Sequence, residues 1–375
     1  MIRLVHRRYD PEASLAVKRV LDSGWVAMGP MTEQLEMKLT DITQMAYAIA
    51  TNSCTSALYV AFRTCLRQGQ RVIMSPFTFA SAMHAIVMSG AVPVFVDIDC
   101  TTGNISADSL SCALHGQADA ILVSHYAGIP CSSQVIGLAR QHKLTIIDDS
   151  AHALGATRNG IPIQMESDVA CLSFNSTKIF SSGEGGAVVT NSKDVANMCR
   201  LLRNYGMTKT CAQKAVEGPS FDIRAVSLNL KFNDILAAVL CPQIGRSNMA
   251  TVLSRRAAIA EAYRCRLQNT DCGLLYKERG DEPSWLFFPV VLPRRLASRQ
   301  MNVVRFLRSR DVEASILFPD LVGIAADLGI CFCDHGHPAA TDMSSRVITL
   351  PCHEYITEHD VQYIVEQLLD AVCNC

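Results

Sequence analysis

Short apolar runs recur through the first two thirds of the chain, separated by stretches with helical spacing. The runs lie at residues 47–51, 72–75, 92–96, 120–124, 144–148, 170–174 and 187–190. They lack the alternation of apolar and polar residues that is typical of a strand with one wet face. They therefore predict strands that are buried on both faces of a mainly parallel sheet.

Helical patterns fill most intervals between these runs and continue to the end of the chain. Helices are predicted at 10–23, 32–40, 55–66, 80–88, 133–142, 247–267, 298–309 and 357–372. Asp10 and Pro11 suit the start of the first helix, and Gly24 suits its end. Thr357 and Asp360 have the spacing of a capping box at the start of the last helix. Strands that alternate with helices indicate an α/β fold.

The pattern changes near residue 245, which predicts two domains. Residues 1–245 are expected to form a large domain around a mainly parallel, seven-stranded-type sheet between helices, with an N-terminal arm at about 1–30. Residues 246–375 contain fewer and shorter elements, which predict a smaller α+β domain. The length of 375 residues agrees with two or three domains.

The composition is typical of a soluble, folded enzyme or binding protein. Hydrophobic residues make up 49% of the chain and charged residues 18%, which excludes a disordered chain or a coiled coil. Lys and Arg number 34 against 35 Asp and Glu, so the formal net charge is -1 and no nucleic-acid partner is expected.

Two features could suggest other classes of protein. Residues 72–96 lack Asp, Glu, Lys and Arg, but polar and turn residues, including Ser75, Pro76 and Gly90, interrupt them. Two strands and a helix are therefore predicted there, and no membrane span. The chain has 16 cysteines and no signal-peptide pattern. Most are expected to be buried thiols in a reducing, cytoplasmic compartment.

Four polar segments directly follow predicted strands, at 53–56, 76–79, 148–149 and 173–178. In an open α/β sheet, ligands bind beyond the carboxyl ends of the strands. Residues 52–56 offer hydroxyls and free backbone N–H groups, which suit a phosphate, although an ordinary N-cap by Ser53 or Thr55 is the alternative. The chain has neither a Walker loop nor a Gly-x-Gly-x-x-Gly turn after a strand.

Two ionisable features follow the later strands. Asp148 and Asp149 must point to opposite faces of their strand, so one is expected to face a ligand and the other a helix terminus or solvent. A fully solvated pair is the alternative. Lys178 lies among apolar residues near a glycine-rich turn, where loss of water would lower its pKa and free the amine for imine chemistry. An ordinary surface lysine is the alternative.

A phosphate-binding turn, an aromatic ring, a carboxylate and a lysine are together what pyridoxal phosphate requires. The sequence also resembles the DegT/StrS-type sugar-nucleotide aminotransferases, most strongly over residues 24–264. The matching motifs are NSCTSAL at 52–58, PFTF at 76–79, HYAG at 125–128, DDSAH at 148–152, SFNSTK at 173–178 with EGG at 184–186, and LNLK at 228–231. The resemblance implies a fold type I aminotransferase with pyridoxal 5'-phosphate as cofactor.

The resemblance also implies a role for each motif. The implied cofactor-binding residues are Thr55 and Ser56 in the phosphate turn, Phe79 over the ring, Asp149 at the pyridine nitrogen, His152 near the phenolic oxygen, Ser173 at the phosphate, Lys178 as the Schiff-base residue and Asn229 at the neighbouring subunit's phosphate. Lys178 and Asp149 are the implied catalytic residues. The match at Asn229 implies a homodimer with shared active sites. Cys54, Asp148 and Lys231 differ from the residues most common in the family.

The function implied by the resemblance is transfer of an amino group from an amino acid, typically glutamate, to a keto-sugar nucleotide in amino-sugar biosynthesis, with a 4-keto-6-deoxy sugar as one candidate. Such sugars serve lipopolysaccharide or natural products. Three alternatives remain open. They are a cyclitol aminotransferase, a sugar dehydratase and a non-catalytic regulator that binds a sugar nucleotide. The presence of Lys178 disfavours the dehydratase, and the intact set of Asp149, Ser173 and Lys178 disfavours the regulator.

Two other patterns attract notice. Residues 331–337 read CFCDHGH, but an extended strand would spread these four thiols and imidazoles over about 20 Å, so no metal site is expected. Arg305, Arg308 and Arg310 form a basic run on a predicted helix. A solvated face is the favoured interpretation, and contact with a substrate diphosphate is the alternative.

Overall fold

The computed structural model describes residues 1–116 and 118–375, with the side chains of all of these except 211, 212, 215 and 298. Its α-helices are α1 Pro11–Ser23, α2 Pro30–Thr43, α3 Cys54–Cys65, α4 Ala80–Met88, α5 Ala107–Ala113, α6 Ser133–Gln141, α7 Lys193–Arg203, α8 Cys211–Glu217, α9 Asp234–Leu240, α10 Arg246–Leu267, α11 Gln300–Ser309, α12 Leu321–Asp327, α13 Pro338–Arg346 and α14 Glu358–Asn374. None of these described helices is both long and apolar enough to cross a membrane.

The strands form one large sheet and two small ones. They are β1 Tyr47–Thr51, β2 Arg71–Met74, β3 Val92–Phe95, β4 Ala120–Ser124, β5 Thr145–Asp149, β6 Thr157–Arg158, β7 Ile161–Pro162, β8 Val169–Ser173, β9 Gly186–Thr190, β10 Gly273–Leu274, β11 Asp281–Glu282, β12 Phe288–Val291, β13 Cys333–Asp334 and β14 Val347–Leu350. The large sheet has the order β1-β9-β8-β5-β4-β2-β3-β13. The small sheets have the orders β10-β12-β14 and β11-β6-β7.

The large sheet is parallel except at β9, which runs antiparallel to both β1 and β8. Each of the seven predicted strands is present, and all seven are mostly buried. The predicted α/β class with a mainly parallel sheet is confirmed. The eighth strand, β13, comes from the C-terminal third of the chain and pairs with the edge strand β3. The boundary at residue 245 coincides with the start of α10, and the division into two domains there stays a prediction.

Local signals explain the helix ends that the sequence predicted. The Asp10 side chain accepts a hydrogen bond from the Glu12 amide at 2.8 Å, which caps α1. Gly24 ends the same helix with a φ of 71°, a left-handed conformation that glycine adopts without steric cost. Thr357 and Asp360 form the predicted capping box at the start of α14.

Six helices were not predicted: α5, α7, α8, α9, α12 and α13. Each has between 7 and 11 residues. Isolated helices of that length are marginal in water, so packing stabilises them more than local propensity does. The apolar sequence at 72–96 forms β2, α4 and β3, as expected.

Candidate active site

A cavity of about 330 Å³ lies beyond the carboxyl ends of the central strands. That volume is at the lower end of the range for small-molecule sites. Six of the residues implied in cofactor binding line it together: Thr55, Phe79, Asp149, His152, Ser173 and Lys178. These residues are spread over more than 100 positions of the sequence, and the sheet brings them to one edge.

The polar turn before α3 presents the first cavity wall. Ser53 caps the helix, and its Oγ accepts a hydrogen bond from the Ser56 amide at 3.1 Å. Ser53, Cys54 and Thr55 line the cavity. The Ser56 hydroxyl instead donates to Asn52 Oδ1 at 2.6 Å. The N-cap interpretation is confirmed. The phosphate interpretation stays a prediction that the cap does not oppose, because an N-capped helix also leaves amides free to bind an anion.

A glycine on the neighbouring strand allows this turn to sit close to the sheet. A Cβ atom at Gly186 would lie 2.5 Å from both the Cys54 amide nitrogen and the Ser53 carbonyl oxygen. Such an approach is far below van der Waals contact, so any side chain at this position would displace the turn. Gly186 therefore fixes where the N-terminus of α3 meets the cavity.

Asp149 provides a buried carboxylate at the floor of the cavity. Its exposure is 8%. Its Oδ1 accepts a hydrogen bond from the Ala151 amide at 3.1 Å and lies 3.9 Å from Cys54 Sγ. Burial raises the pKa of Asp149, because the charged form loses its hydration. A cationic or N–H partner in the cavity would stabilise the ionised carboxylate.

Asp148 points to the opposite side of β5 and is also buried. The expectation that the second acid faces a helix terminus or solvent is wrong. Asp148 Oδ2 accepts a hydrogen bond from Ser150 Oγ at 2.8 Å, and Oδ1 lies 3.0 Å from His125 Nε2. The latter two atoms form a close polar contact without hydrogen-bond alignment. The reason is that the loop after β4 packs over this face of the strand and excludes water.

The His125 ring is oriented by its other nitrogen. The Cys131 amide donates to Nδ1 at 2.9 Å, so Nε2 is assigned the ring proton that faces Asp148. Gln164 extends the network by donating to Ser150 Oγ at 2.9 Å. These buried contacts hold the end of β5 on the face opposite the cavity. They therefore also fix the backbone that carries Asp149.

Lys178 lies on the loop between β8 and β9 and is half-buried against the cavity. Burial lowers its pKa, and the negative charge of Asp149 opposes that shift. Its own amide donates to the Asn175 carbonyl at 2.9 Å, and the Ser176 amide donates to Gly183 at 2.8 Å. These bonds give the loop a defined shape, so Lys178 is not an ordinary surface lysine.

Aromatic rings form the remaining wall. Phe79 is 59% exposed and stands at the rim of the cavity. The His152 ring stacks on Phe318, with centroids 5.8 Å apart and planes 7° apart. Burial lowers the pKa of His152 well below its usual value, so this imidazole is neutral at physiological pH. Phe318 was missed by sequence reasoning, since nothing near it in the chain marks it as part of a site.

Asn229 does not line this cavity. Its side chain is exposed, and its carbonyl accepts a hydrogen bond from Asn52 Nδ2 at 3.3 Å beside the phosphate turn. Its exposed side chain stands where it could face a second molecule, and its implied role toward a neighbouring subunit stays a prediction.

The two other patterns in the sequence lie away from the cavity. Cys333 and Asp334 form β13, and Arg71 donates to Cys333 Sγ at 2.9 Å. His337 Nδ1 lies 3.1 Å from Asp334 Oδ1. The three arginines at 305, 308 and 310 lie on or just after α11 and are not part of the cavity wall.

Comparison with known proteins identifies the class of protein. The model of the DegT/DnrJ/EryC1/StrS aminotransferase family matches residues 8–369, so the chain belongs to this family. The uncharacterized protein MJ1066 of Methanocaldococcus jannaschii is 30% identical over 353 residues, covering 92% of this chain and 91% of that protein. A dTDP-4-amino-4,6-dideoxy-D-glucose transaminase of Shigella dysenteriae is 29% identical over 344 residues, covering 91% and 90%.

Solved structures agree with this assignment. The putative sugar aminotransferase Spr1654 of Streptococcus pneumoniae, in its PMP form, has a TM-score of 0.90 at 25% identity and covers 99% of each chain. DesV of S. venezuelae, in complex with a ketimine intermediate, has a TM-score of 0.86 at 26% identity, covering 97% of this chain and 95% of that one. The predicted family, the fold type I architecture and the aminotransferase activity are confirmed.

Proposed function

We propose that this aminotransferase uses pyridoxal 5'-phosphate to move an amino group from an amino acid, typically glutamate, to a keto-sugar nucleotide in amino-sugar biosynthesis. The observation that carries the proposal is the presence of half-buried Lys178 and buried Asp149 in one cavity, beside the N-terminus of α3. The activity of the Shigella dysenteriae relative supports the substrate class.

The residues present fit this cofactor. Amides and hydroxyls at the start of α3, with Ser173, suit a phosphate. Burial raises the pKa of Asp149 despite the nearby charge of Lys178, so its ionised form needs a further cationic partner. A protonated ring nitrogen would meet that need. When bound, pyridoxal phosphate supplies an aldehyde for amines and a ring that accepts electrons.

Lys178 carries out the proton transfers. Its lowered pKa leaves a larger fraction of the amine neutral at physiological pH, as both a nucleophile and a base require. With the amino donor in the site, Lys178 Nζ would take the proton from the donor's α-carbon. In the second half of the reaction, Nζ would deliver a proton to the acceptor carbon that receives the amino group. Partial burial limits the access of water to this amine.

Other side chains bind and orient. Thr55, Ser56 and Ser173 are proposed to hold the phosphate, with Ser56 acting through the turn that it braces by its bond to Asn52. Phe79, at the rim, is proposed to lie over the cofactor ring. Neutral His152 is proposed to donate a hydrogen bond to the phenolic oxygen.

The aromatic wall supports a sugar as acceptor. Tyr126, Phe287 and Phe318 line the cavity, and flat rings suit the apolar face of a hexose. Their number and closeness favour a deoxygenated ring over a heavily hydroxylated one. A 4-keto-6-deoxy sugar, which lacks one hydroxyl and carries a methyl group, is the specific acceptor that we propose.

A homodimer is the second part of the proposal. The segment after α7 leaves large apolar side chains in water, with Val216 at 88% exposure, Ile223 at 69% and Val226 at 89%. A monomer rarely exposes such a concentration of apolar surface. Asn229 follows this segment and is proposed to reach the phosphate in the other subunit's site.

Mixed dimers test the shared site. Lys178→Ala and Asn229→Ala are each expected to be nearly inactive. In a mixed dimer, the Asn229→Ala subunit retains Lys178 and receives Asn229 from the other subunit, so one complete site forms. Activity should therefore return on mixing after reversible dissociation, and no return would contradict a shared site.

The cofactor and substrates can be tested directly. Protein incubated with pyridoxal phosphate and reduced with borohydride should carry a stable mass increment on the peptide that contains Lys178. Addition of glutamate and dTDP-4-keto-6-deoxyglucose should then give an amino sugar by mass spectrometry. Labelling without an amino sugar would reject this acceptor, deoxygenation without nitrogen transfer would indicate a dehydratase, and absence of labelling would reject the cofactor.

A further inference from the structure

The first residues of the chain form a strap across the cavity, which we define as residues 2–9. Ile2 donates through its amide to the Asp311 carbonyl at 2.6 Å, and the Leu4 amide donates to Glu313 Oε2 at 2.9 Å. Leu4 and Val5 line the cavity beside Lys178. The strap therefore reaches from the loop after α11 to the site, and supplies part of the wall that faces the substrate.

Arg7 joins this strap to the loop that carries Lys178. Its Nη1 donates to the Ile179 carbonyl at 2.5 Å, and its Nε lies 3.5 Å from the Ser176 carbonyl, at the limit of hydrogen bonding. These carbonyls stand on either side of Lys178 in the chain. Burial, with the nearby positive charge of Arg256 acting in the same direction, lowers the pKa of Arg7 to about 10. The guanidinium is still protonated at neutral pH.

The part of the Lys178 loop that Arg7 does not contact is held by Gln243. Gln243 accepts a hydrogen bond from the Ser181 amide at 3.0 Å and donates to the Ser181 carbonyl at 2.7 Å, which fixes the part after Lys178. Burial and the charge of Asp149 act on the pKa of Lys178, and Arg7 is not among the groups that shift it. Arg7 therefore acts on Lys178 through the position of the backbone rather than through its charge.

We propose that Arg7 is a positioning residue, which fixes the Lys178 loop and at the same time holds the strap in place as a wall of the substrate cavity. The proposal rests on the proposed role of Lys178 in proton transfer. A fork of N–H donors matches two carbonyls in a way that a single ammonium group does not. Small displacements of a reacting group cost up to about 10²-fold in rate.

The test compares Arg7→Gln and Arg7→Lys with Arg8→Gln. Arg8 is the matched control, because it is the next residue in the strap, is exposed and lies over the Tyr355 ring at 4.9 Å. Its Nε is 3.4 Å from His6 Nε2, so its side-chain hydrogen bond is within the strap. Both Arg7 variants should lower kcat by about 10²-fold with little change in the KM for the amino donor. Arg8→Gln should retain the wild-type kcat.

Hydrogen exchange of the cofactor-free protein gives a readout independent of activity. Amides in the peptide that spans residues 176–180 should exchange faster in Arg7→Gln than in Arg8→Gln, with thermal midpoints measured on both. Equal amide exchange and equal kcat in Arg7→Gln and Arg8→Gln would overturn the proposal. So would a wild-type kcat in Arg7→Lys, because charge alone would then suffice. Absence of Lys178 labelling in the wild-type protein would instead reject the proposed function.

Discussion

Cys54 Sγ lies 3.9 Å from Asp149 Oδ1, so a thiol and a carboxylate share the floor of the cavity. Burial raises the pKa of Cys54 well above its usual value, and the negative charge of Asp149 adds to the shift. A thiol in this setting is protonated at neutral pH and therefore unreactive. It contributes a weak donor to the carboxylate rather than a nucleophile.

This relationship predicts the order in which cysteines are alkylated. In the folded, cofactor-free protein at mildly alkaline pH, iodoacetamide should modify exposed Cys100 and Cys373 well before Cys54. Peptide mass spectrometry after short exposure measures the order. Denatured protein serves as the control, since all three cysteines should then react at similar rates. Early modification of Cys54 would show that it is ionised and that the burial argument fails.

Asp149→Asn should change stability in a direction that depends on pH. The folded-state pKa of Asp149 is raised, so its favourable contribution is present below the unfolded-state pKa and is lost as pH rises through the folded-state value. The variant keeps an oxygen for the Ala151 amide and does not titrate. Urea denaturation of the two cofactor-free proteins measures the difference in the free energy of unfolding. The stability of Asp149→Asn relative to wild type should increase from acid to neutral pH and then stay constant.

The same variant should lose activity when loaded with cofactor. Removal of the charge that faces the ring nitrogen is expected to lower kcat by about 10²–10³-fold. A variant that is destabilised at neutral pH and fully active would contradict both the burial of Asp149 and its role.

Lys178 should react with amine reagents at lower pH than exposed lysines do. Burial lowers its pKa, so its neutral form appears earlier as the pH is raised. A small acylating reagent, applied to cofactor-free protein across a pH series, should modify Lys178 at a lower pH than exposed Lys193. Quantitative peptide mapping gives both curves. Coincident curves would mean that Lys178 remains hydrated.

Arg158 should matter for stability far more than an arginine in an exposed ion pair. Its side chain is 10% exposed and contacts Asp281 at 2.8 Å and Glu166 at 2.9 Å. Arg158→Ala leaves these acids without their partner, which should cost about 3–5 kcal/mol in the free energy of unfolding. Arg140→Ala removes an exposed pair with Asp168 and should cost about 0–1 kcal/mol. Urea denaturation compares the two, and similar losses would contradict the distinction.

The sequence was sufficient for those parts of the site that follow strands. Ser53, Asp149 and Ser173 lie at or next to the ends of β1, β5 and β8, and parallel strands place their carboxyl ends at one edge. Alternation along β5 also separated Asp148 from Asp149 correctly. What covers Asp148 could not be predicted, since His125 belongs to a different strand end.

The missing parts of the site come from distant segments. Arg7 and Ile179 are 172 positions apart, and no periodicity connects them. Phe318 lies on an irregular segment between α11 and α12, where no strand or helix pattern fixes its direction. Such contacts depend on how the strap and the C-terminal third pack against the large sheet, and single-sequence patterns carry no signal for that.

The pairing of β13 with β3 has a consequence for the protein's behaviour in solution. Strand β3 would otherwise end the sheet as an open edge, whose unpaired backbone groups are a template for aggregation. Cys333 and Asp334 cover it, and the next amide, that of His335, donates to the Phe95 carbonyl at 3.1 Å. A chain that ends before residue 333 would expose the unpaired backbone groups of β3. Expression trials should therefore keep the large sheet and β13 on one chain.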